Sequence, residues 1–331
     1  MTKRPAATAV LAAALVCASS LSSAGSQTPS APLPQEPAKT PTFRSAVDLV
    51  SIAAVVRDRK GRFARNLGKD DFVVEEGGAR RDIVDFRSDQ DAPVRVALLF
   101  DVSGSMRLAT RLEDARQCAR QVLSALRLGP ATADTTGDEA AVFSFDMNLQ
   151  SLQPFTTDPN AIEQALSRVL PYGQTSLYDA IAQTARRVSE SRPGDPRRRA
   201  VIVFTDGLDT SSEQTPQQVS AIASAIDVPV YVMTVLSDVE RDKGSQSEAA
   251  ATPLRELSRA TGGELFVTSA PAHESVAARQ IVDELRHQYV LAFAASPSAG
   301  WHGLTVKTTN RDLTVRARTG YTAGVRGSSS F

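Results

Sequence analysis

Val96-Ala97-Leu98-Leu99-Phe100-Asp101-Val102-Ser103-Gly104-Ser105-Met106 joins an unbroken apolar run to a cluster of hard oxygens. Five successive apolar residues with no polar alternation suit a strand buried on both faces. One carboxylate and two hydroxyls then stand at the alternate positions Asp101, Ser103 and Ser105, with Gly104 free to take a tight backbone turn. Such a loop suits a hard divalent cation. Two other segments can complete a ligand set: Gly173-Gln174-Thr175-Ser176, and Thr205-Asp206-Gly207 behind the apolar run Ala200-Val201-Ile202-Val203-Phe204. The expected site is therefore assembled from three loops.

Working outward, strands and amphipathic helices alternate from Val94 to about Ser269. Further apolar strand candidates are Ala140 to Phe145, Val228 to Leu236 and Leu265 to Thr268; the helix candidates are Arg111 to Leu126, Asn160 to Leu170, Leu177 to Ser189, Pro216 to Ile226 and Pro253 to Thr261. This pattern predicts an α/β class: a doubly wound, mostly parallel sheet covered by helices on both faces. In such a sheet ligands gather outside the carboxyl ends of the strands, where all three loops lie.

Before this region, Val47-Asp48-Leu49-Val50-Ser51-Ile52, Asp71-Phe72-Val73-Val74-Glu75 and Asp82-Ile83-Val84-Asp85-Phe86 read as short strands punctuated by Asp58-Arg59-Lys60-Gly61 and Glu76-Gly77-Gly78. After a last helix, about Glu274 to His287, strands return at Tyr289 to Phe293, Leu304 to Lys307 and Leu313 to Arg318. Neither flank is large enough for a comfortable core of its own. The expectation is that they pair into one β-sandwich-like unit into which the α/β region is inserted.

Met1-Thr2-Lys3-Arg4, an Ala/Val/Leu-rich run to about Ala18, and small residues ending near Ala24 have the order of a secretory signal peptide. Its apolar run is too short to span a bilayer, and no later stretch is long enough. Leu15-Val16 before Cys17 argue against lipid anchoring, where small residues are wanted. Export to the periplasm or beyond is the expectation. With the signal removed, Cys118 is the only cysteine, on the apolar face of its helix, and reads as a buried thiol. The 37 Lys and Arg balance 37 Asp and Glu, which gives no bulk charge for a nucleic acid or an anionic membrane.

Each hydroxyl and aspartate of the three loops has an ordinary reading as a helix cap or turn former. Against it, Thr110 with Glu113 and Ser176 with Asp179 offer capping boxes nearby, so Ser103, Ser105 and Thr175 are not needed as caps. Arg197-Arg198-Arg199 reads as a solvated turn before a strand, and the polar stretch Ser237 to Glu248 as a loop at the carboxyl edge.

With D-x-S-G-S at 101–105, G-x-T-S-L-Y-D-A from Gly173 and F-T-D-G from Phe204, the chain resembles a von Willebrand factor type A domain with a metal-ion-dependent adhesion site. By the family's known extent the resemblance covers roughly half the chain. The flanks, with Phe43-Arg44-Ser45, Asp71 to Glu75 and Arg316 to Tyr321, resemble an exported bacterial group of such proteins common in acidobacteria. The resemblance implies hydroxyl ligands from Ser103, Ser105 and Thr175, with Asp101 and Asp206 acting directly or through water. It gives the divisions 1–24 signal peptide, 25–42 Pro/Ser/Thr-rich tether, 43–92 N-terminal β segment, 93–272 type A domain, 273–325 linking helix and C-terminal β segment, and 326–331 tail.

Two carboxylates only roughly neutralise a divalent ion, which stays electrophilic toward a Glu or Asp of a partner protein. Mg²⁺ is the first choice because small neutral oxygens plus water suit it, with Ca²⁺ or Mn²⁺ as alternatives. His273, His287 and His302 all lie after the α/β core, so no nucleophilic triad or zinc cluster is arguable. The reading is a non-enzymatic, metal-dependent protein-binding module. Its rivals are a metal-dependent phosphoryl hydrolase with Asp101 as nucleophile, for which Ser103 is a poor general acid, and an assembly scaffold with an unused metal site.

Overall fold

The central strands owe their place to having no polar face. In the computed structural model β5 (Val94–Asp101) and β8 (Arg198–Thr205) are buried along nearly their whole length. Alternate side chains of β5 serve two cores: Val96, Leu98 and Phe100 enter one, Ala97 and Leu99 the other. The structure describes residues 49–89, 91–108, 110–129, 136–170, 173–190, 195–235, 245–268 and 271–323, all within the chain unit Ala46–Phe331. The signal peptide, the tether and the 326–331 tail of the sequence reading lie outside them.

The remaining strands of the large sheet are β6 (Glu139–Phe145), β7 (Leu149–Thr156), β9 (Val230–Val235) and β10 (Leu265–Thr268), in the order β10-β9-β8-β5-β6-β7. All pairings are parallel except that of β7 with β6. On one face lie α1 (Arg111–Ala125), α2 (Pro159–Ser167) and the last helix, α6 (Pro271–Arg286), through Cys118, Val122, Leu166 and Ile281 among others. On the other lie α3 (Leu177–Ser189), α4 (Pro216–Ala225) and α5 (Ser245–Ala260), through Ile181, Val188, Val219 and Leu257. This is the doubly wound α/β sheet that the apolar runs dictate, and Cys118 is buried in it.

The flanks do pair. β1 (Leu49–Arg57), β4 (Ile83–Arg87), β11 (Tyr289–Ala294) and β13 (Thr314–Ala317) form one antiparallel sheet, in the order β13-β1-β11-β4. β2 (Phe72–Glu76), β3 (Ala79–Arg81), β12 (Gly300–Thr308) and β14 (Gly320–Ala323) form a second, in the order β14-β12-β2-β3. Val50, Ile52, Ala54, Val56 and Phe293 of the first sheet pack with Phe72, Val74, Leu304 and Tyr321 of the second. Arg87 lies opposite Val290, so the chain leaves the sandwich and returns to it on adjacent strands, with the α/β layer between.

Four local expectations change. β7 was not foreseen, because Pro154 and its polar neighbours disguise a strand that only an edge position tolerates. α5 begins at Ser245 rather than Pro253, so the polar stretch read as a loop is already helical at its end; residues 236–244 lie outside the described residues. α6, grouped from sequence with the C-terminal β segment, covers the large sheet through Ala278, Ile281 and Leu285. Arg198 is no solvated turn: it opens the inner strand β8 and is buried.

Candidate metal centre

β5 and β8 run parallel with Phe100 opposite Phe204, so the next residues, Asp101 and Thr205, emerge side by side at the carboxyl edge. The Thr205 hydroxyl donates to Asp101 Oδ2 at 2.6 Å, and the Ser103 amide donates to Oδ1 at 2.9 Å. Asp101 is wholly buried. Burial pushes its carboxyl up to about 6, the nearby Asp206 charge adds to this, and the bonds from Thr205 and Ser103 oppose it. A carboxylate held in this way is short of positive charge.

Beyond Asp101 the chain turns into a short 3-10 segment, Gly104–Arg107, that sets the Ser103 and Ser105 hydroxyls 3.0 Å apart. The Gly104 amide donates to the Gly173 carbonyl at 3.1 Å, tying the first loop to the second. The glycine that the geometry demands is Gly173 rather than Gly104. Its φ is +102°, and a Cβ there would lie 2.9 Å from the Asp146 Cβ. Asp146 follows β6 and accepts the Ser176 amide through its carbonyl at 2.8 Å, so three strand ends support the second loop.

Thr175 is buried, and its backbone is clamped by the third loop. Its amide donates to Thr210 Oγ1 at 3.1 Å, and its carbonyl accepts the Thr210 and Ser211 amides at 2.9 and 3.0 Å. Asp206 is also buried; Arg111 Nη1, at the start of α1, donates to its Oδ2 at 2.7 Å and to the Ser105 carbonyl at 3.0 Å. The Leu208 amide approaches Oδ1 at 3.3 Å. One guanidinium thus joins the first and third loops.

The structure brings Asp101, Ser103, Ser105, Thr175 and Asp206 to this one edge through these ties. It corrects the capping argument, however. Thr110 and Ser176 are N-cap residues without side-chain caps: Thr110 bonds Asp114 at 2.7 Å and Ser176 meets Ser211 at 2.9 Å. The first amides of α3 are taken instead by Asp209 Oδ1 on Leu177 at 2.8 Å and Ser212 Oγ on Tyr178 at 3.0 Å. Asp179 does not cap its own helix in a box; it accepts the Glu213 and Gln214 amides at 2.9 and 3.0 Å.

Sequence reasoning missed Arg111, Thr205, Asp209 and Ser212. Arg111 carried a signal, since a cation stood at the edge of the apolar stripe Leu112, Ala115, Cys118. Thr205 carried little because its partner, Asp101, lies on another strand, and Asp209 and Ser212 carried little because a cap supplied by a distant loop leaves no local spacing to read.

Among the described residues no group of three or more His, Cys, Asp and Glu side chains converges as a metal site. A cation at this edge would therefore rest on the mixed carboxylate and hydroxyl set. That set fits one: a buried carboxylate, paired serine hydroxyls and a buried threonine are hard oxygen donors suited to a divalent cation. His287 stacks on Phe63 and His302 pairs with Glu76, both on the sandwich side of the molecule.

Among the described residues no helix is long and apolar enough to cross a membrane. No curated protein matches this chain. Solved structures with a similar fold include BatB from Bacteroides thetaiotaomicron, at 17% identity over 58% of this chain and 98% of that one, TM-score 0.45. A von Willebrand factor type A protein from Catenulispora acidiphila aligns at 14% identity over 85% of this chain and 76% of that one, TM-score 0.46. Proximal thread matrix protein 1 from the mussel byssus, described with a zinc-occupied MIDAS motif, aligns at 18% identity over 63% of this chain and 49% of that one, TM-score 0.46. The model of the von Willebrand factor type A domain matches residues 96–208, about a third of the chain, and it is this segment that carries the similarity to the family.

Proposed function

We propose that the protein is an exported, metal-dependent protein-binding module. In this reading Ser103, Ser105 and Thr175 give hydroxyl oxygens to a divalent cation, Mg²⁺ first, with Asp101 and Asp206 as its carboxylates. The observation that carries it is the wholly buried, undercompensated Asp101 beside the two serine hydroxyls. When bound, the ion supplies an electrophilic position that a Glu or Asp of a partner protein fills, a charge-dense contact that fixes where the partner docks.

The chain's own residues organise that contact. Thr205 and the Ser103 amide orient both Asp101 oxygens, and the Ser103 and Ser105 hydroxyls meet beside them. Arg111 holds one oxygen of Asp206, which suits action through water rather than direct ligation. The type A domain match at residues 96–208 supports an interaction role, because such domains often serve as metal-dependent interaction modules. Export follows the basic start, apolar run and small residues up to Ala24.

The test is capture of prey from envelope or secreted material by the full mature chain, with and without chelator, beside Asp206→Ala. The reading expects prey lost both to chelator and to the substitution. Prey retained in both, or Asp101-dependent turnover of phosphate esters, overturns it.

A further inference from the structure

The large sheet has a second functional candidate at its opposite end. Where β8 and β9 begin, a cavity of about 1030 Å³ opens between the α/β layer and the strands β1, β11 and β14 of the sandwich. That is the upper end of the size range of small-molecule sites. Five arginines line it, Arg87, Arg197, Arg198, Arg199 and Arg318, against the acids Asp195 and Asp227. The wall is cationic in a protein with no net charge.

Two of the five are already satisfied. Arg197 pairs with Asp195 at 3.1 Å and Glu139 at 3.2 Å. Arg318 pairs with Asp227 at 3.4 Å and donates to the Ser224 and Ser51 carbonyls. The other three are not. Among the described residues the Arg87 side chain meets only Asp85, at 3.5 Å on the surface. The Arg199 side chain, on a residue whose backbone is held in the β8 ladder, makes no hydrogen bond or ion pair among the described residues.

Arg198 is the most telling. It is 9% exposed, its Nε has no hydrogen-bond partner among the described residues, and its Nη2 reaches the Gln288 carbonyl only at 3.5 Å and Asp89 at 3.9 Å. Burial lowers its pKa, the mark of a cation removed from water without a full counter-charge. An inner strand that opens on two successive arginines gives up apolar burial at both positions. A guanidinium is a planar fork of donors that matches phosphate and carboxylate oxygens in pairs.

We propose that this cavity binds a small polyanion whose phosphate or carboxylate groups are held by Arg198 and Arg199, with Arg87 at the rim. The site is independent of the metal centre, since it lies at the amino ends of the parallel strands.

The test is calorimetric titration of the full mature chain, in chelator, with pyrophosphate and, as a separate arm, citrate. Both probes carry several anionic groups, and the stronger one assigns the phosphate or the carboxylate source. Saturable binding is expected, weakened at least tenfold by Arg199→Gln, the loss of one charge-assisted contact. Arg198→Lys keeps the charge but not the fork and is expected to weaken binding similarly while keeping the fold, checked by its urea midpoint. No saturable binding of either probe, or binding unchanged in both folded variants, overturns the proposal.

Discussion

Arg111 is the residue that most changes the electrostatics of the carboxyl edge. Its guanidinium and the Asp206 carboxylate are both buried and 2.7 Å apart, so removing one charge strands the other. Arg111→Gln is expected to destabilise the metal-free protein by about 3–5 kcal/mol, read by urea unfolding in chelator. Added Mg²⁺ should then raise the variant's midpoint by more than it raises the wild type's, because a cation near Asp206 replaces the lost charge. Gly173 is the second such residue. At φ +102°, and with Asp146 2.9 Å from any added Cβ, Gly173→Ala is expected to lose about 1–3 kcal/mol and to weaken Mg²⁺ binding by shifting Thr175. An unchanged midpoint and Mg²⁺ affinity would contradict the packing described for this loop. Sequence alone singled out Asp101, Ser103, Ser105 and Asp206 by their positions behind apolar runs, and Thr175 by its place on a loop entering a helix. It assigned the turn to Gly104 when Gly173 carries the demanding backbone, because steric need depends on Asp146, a residue far off in sequence.

Among the elements, α3 shows how a loop can be built by its neighbour's cap. Asp209 accepts the Leu177 amide at 2.8 Å and the Ser212 hydroxyl at 2.6 Å, and so fastens the loop after β8 to the start of α3 beside Thr175. Asp209→Ala is expected to cost about 1 kcal/mol. Faster hydrogen exchange at the Leu177 amide, with the β5 amides unchanged, is the local readout; equal exchange at Leu177 would contradict the cap. The long apolar strands β5, β6 and β8 were legible because burial on both faces leaves no ambiguity of period. β7 was not, since Pro154 reads as a strand breaker until the strand is known to be an edge. α5 was read eight residues short because Pro253 mimics a helix start.

At the scale of the whole molecule, the sandwich and the α/β layer are joined by charge as well as by chain. Glu284 on α6 is fully buried; Arg57 of β1 donates to it at 2.7 Å and Arg316 of β13 pairs with its other oxygen. Arg316 also pairs with Glu264, just before β10. Glu284→Gln leaves two guanidiniums facing a neutral amide and is expected to lower stability by about 3–5 kcal/mol. Two separated transitions in urea, seen by probes in the sandwich and in the large sheet, are expected in place of one; a single unshifted transition would contradict this coupling. The pairing of N- and C-terminal strands was foreseeable because neither flank holds a core alone. The partners of Glu284 were not, since ion pairs across 227 and 32 residues leave no trace in local pattern.

The central claim is that oxygens from three loops surround one cation at the carboxyl edge. Crystals grown with Mn²⁺ and measured at its absorption edge test it most directly. The account predicts one anomalous peak within bonding distance of the Ser103, Ser105 and Thr175 hydroxyl oxygens, absent from Asp101→Ala crystals. A well-ordered edge with no peak there, or a peak held by other residues, would contradict it.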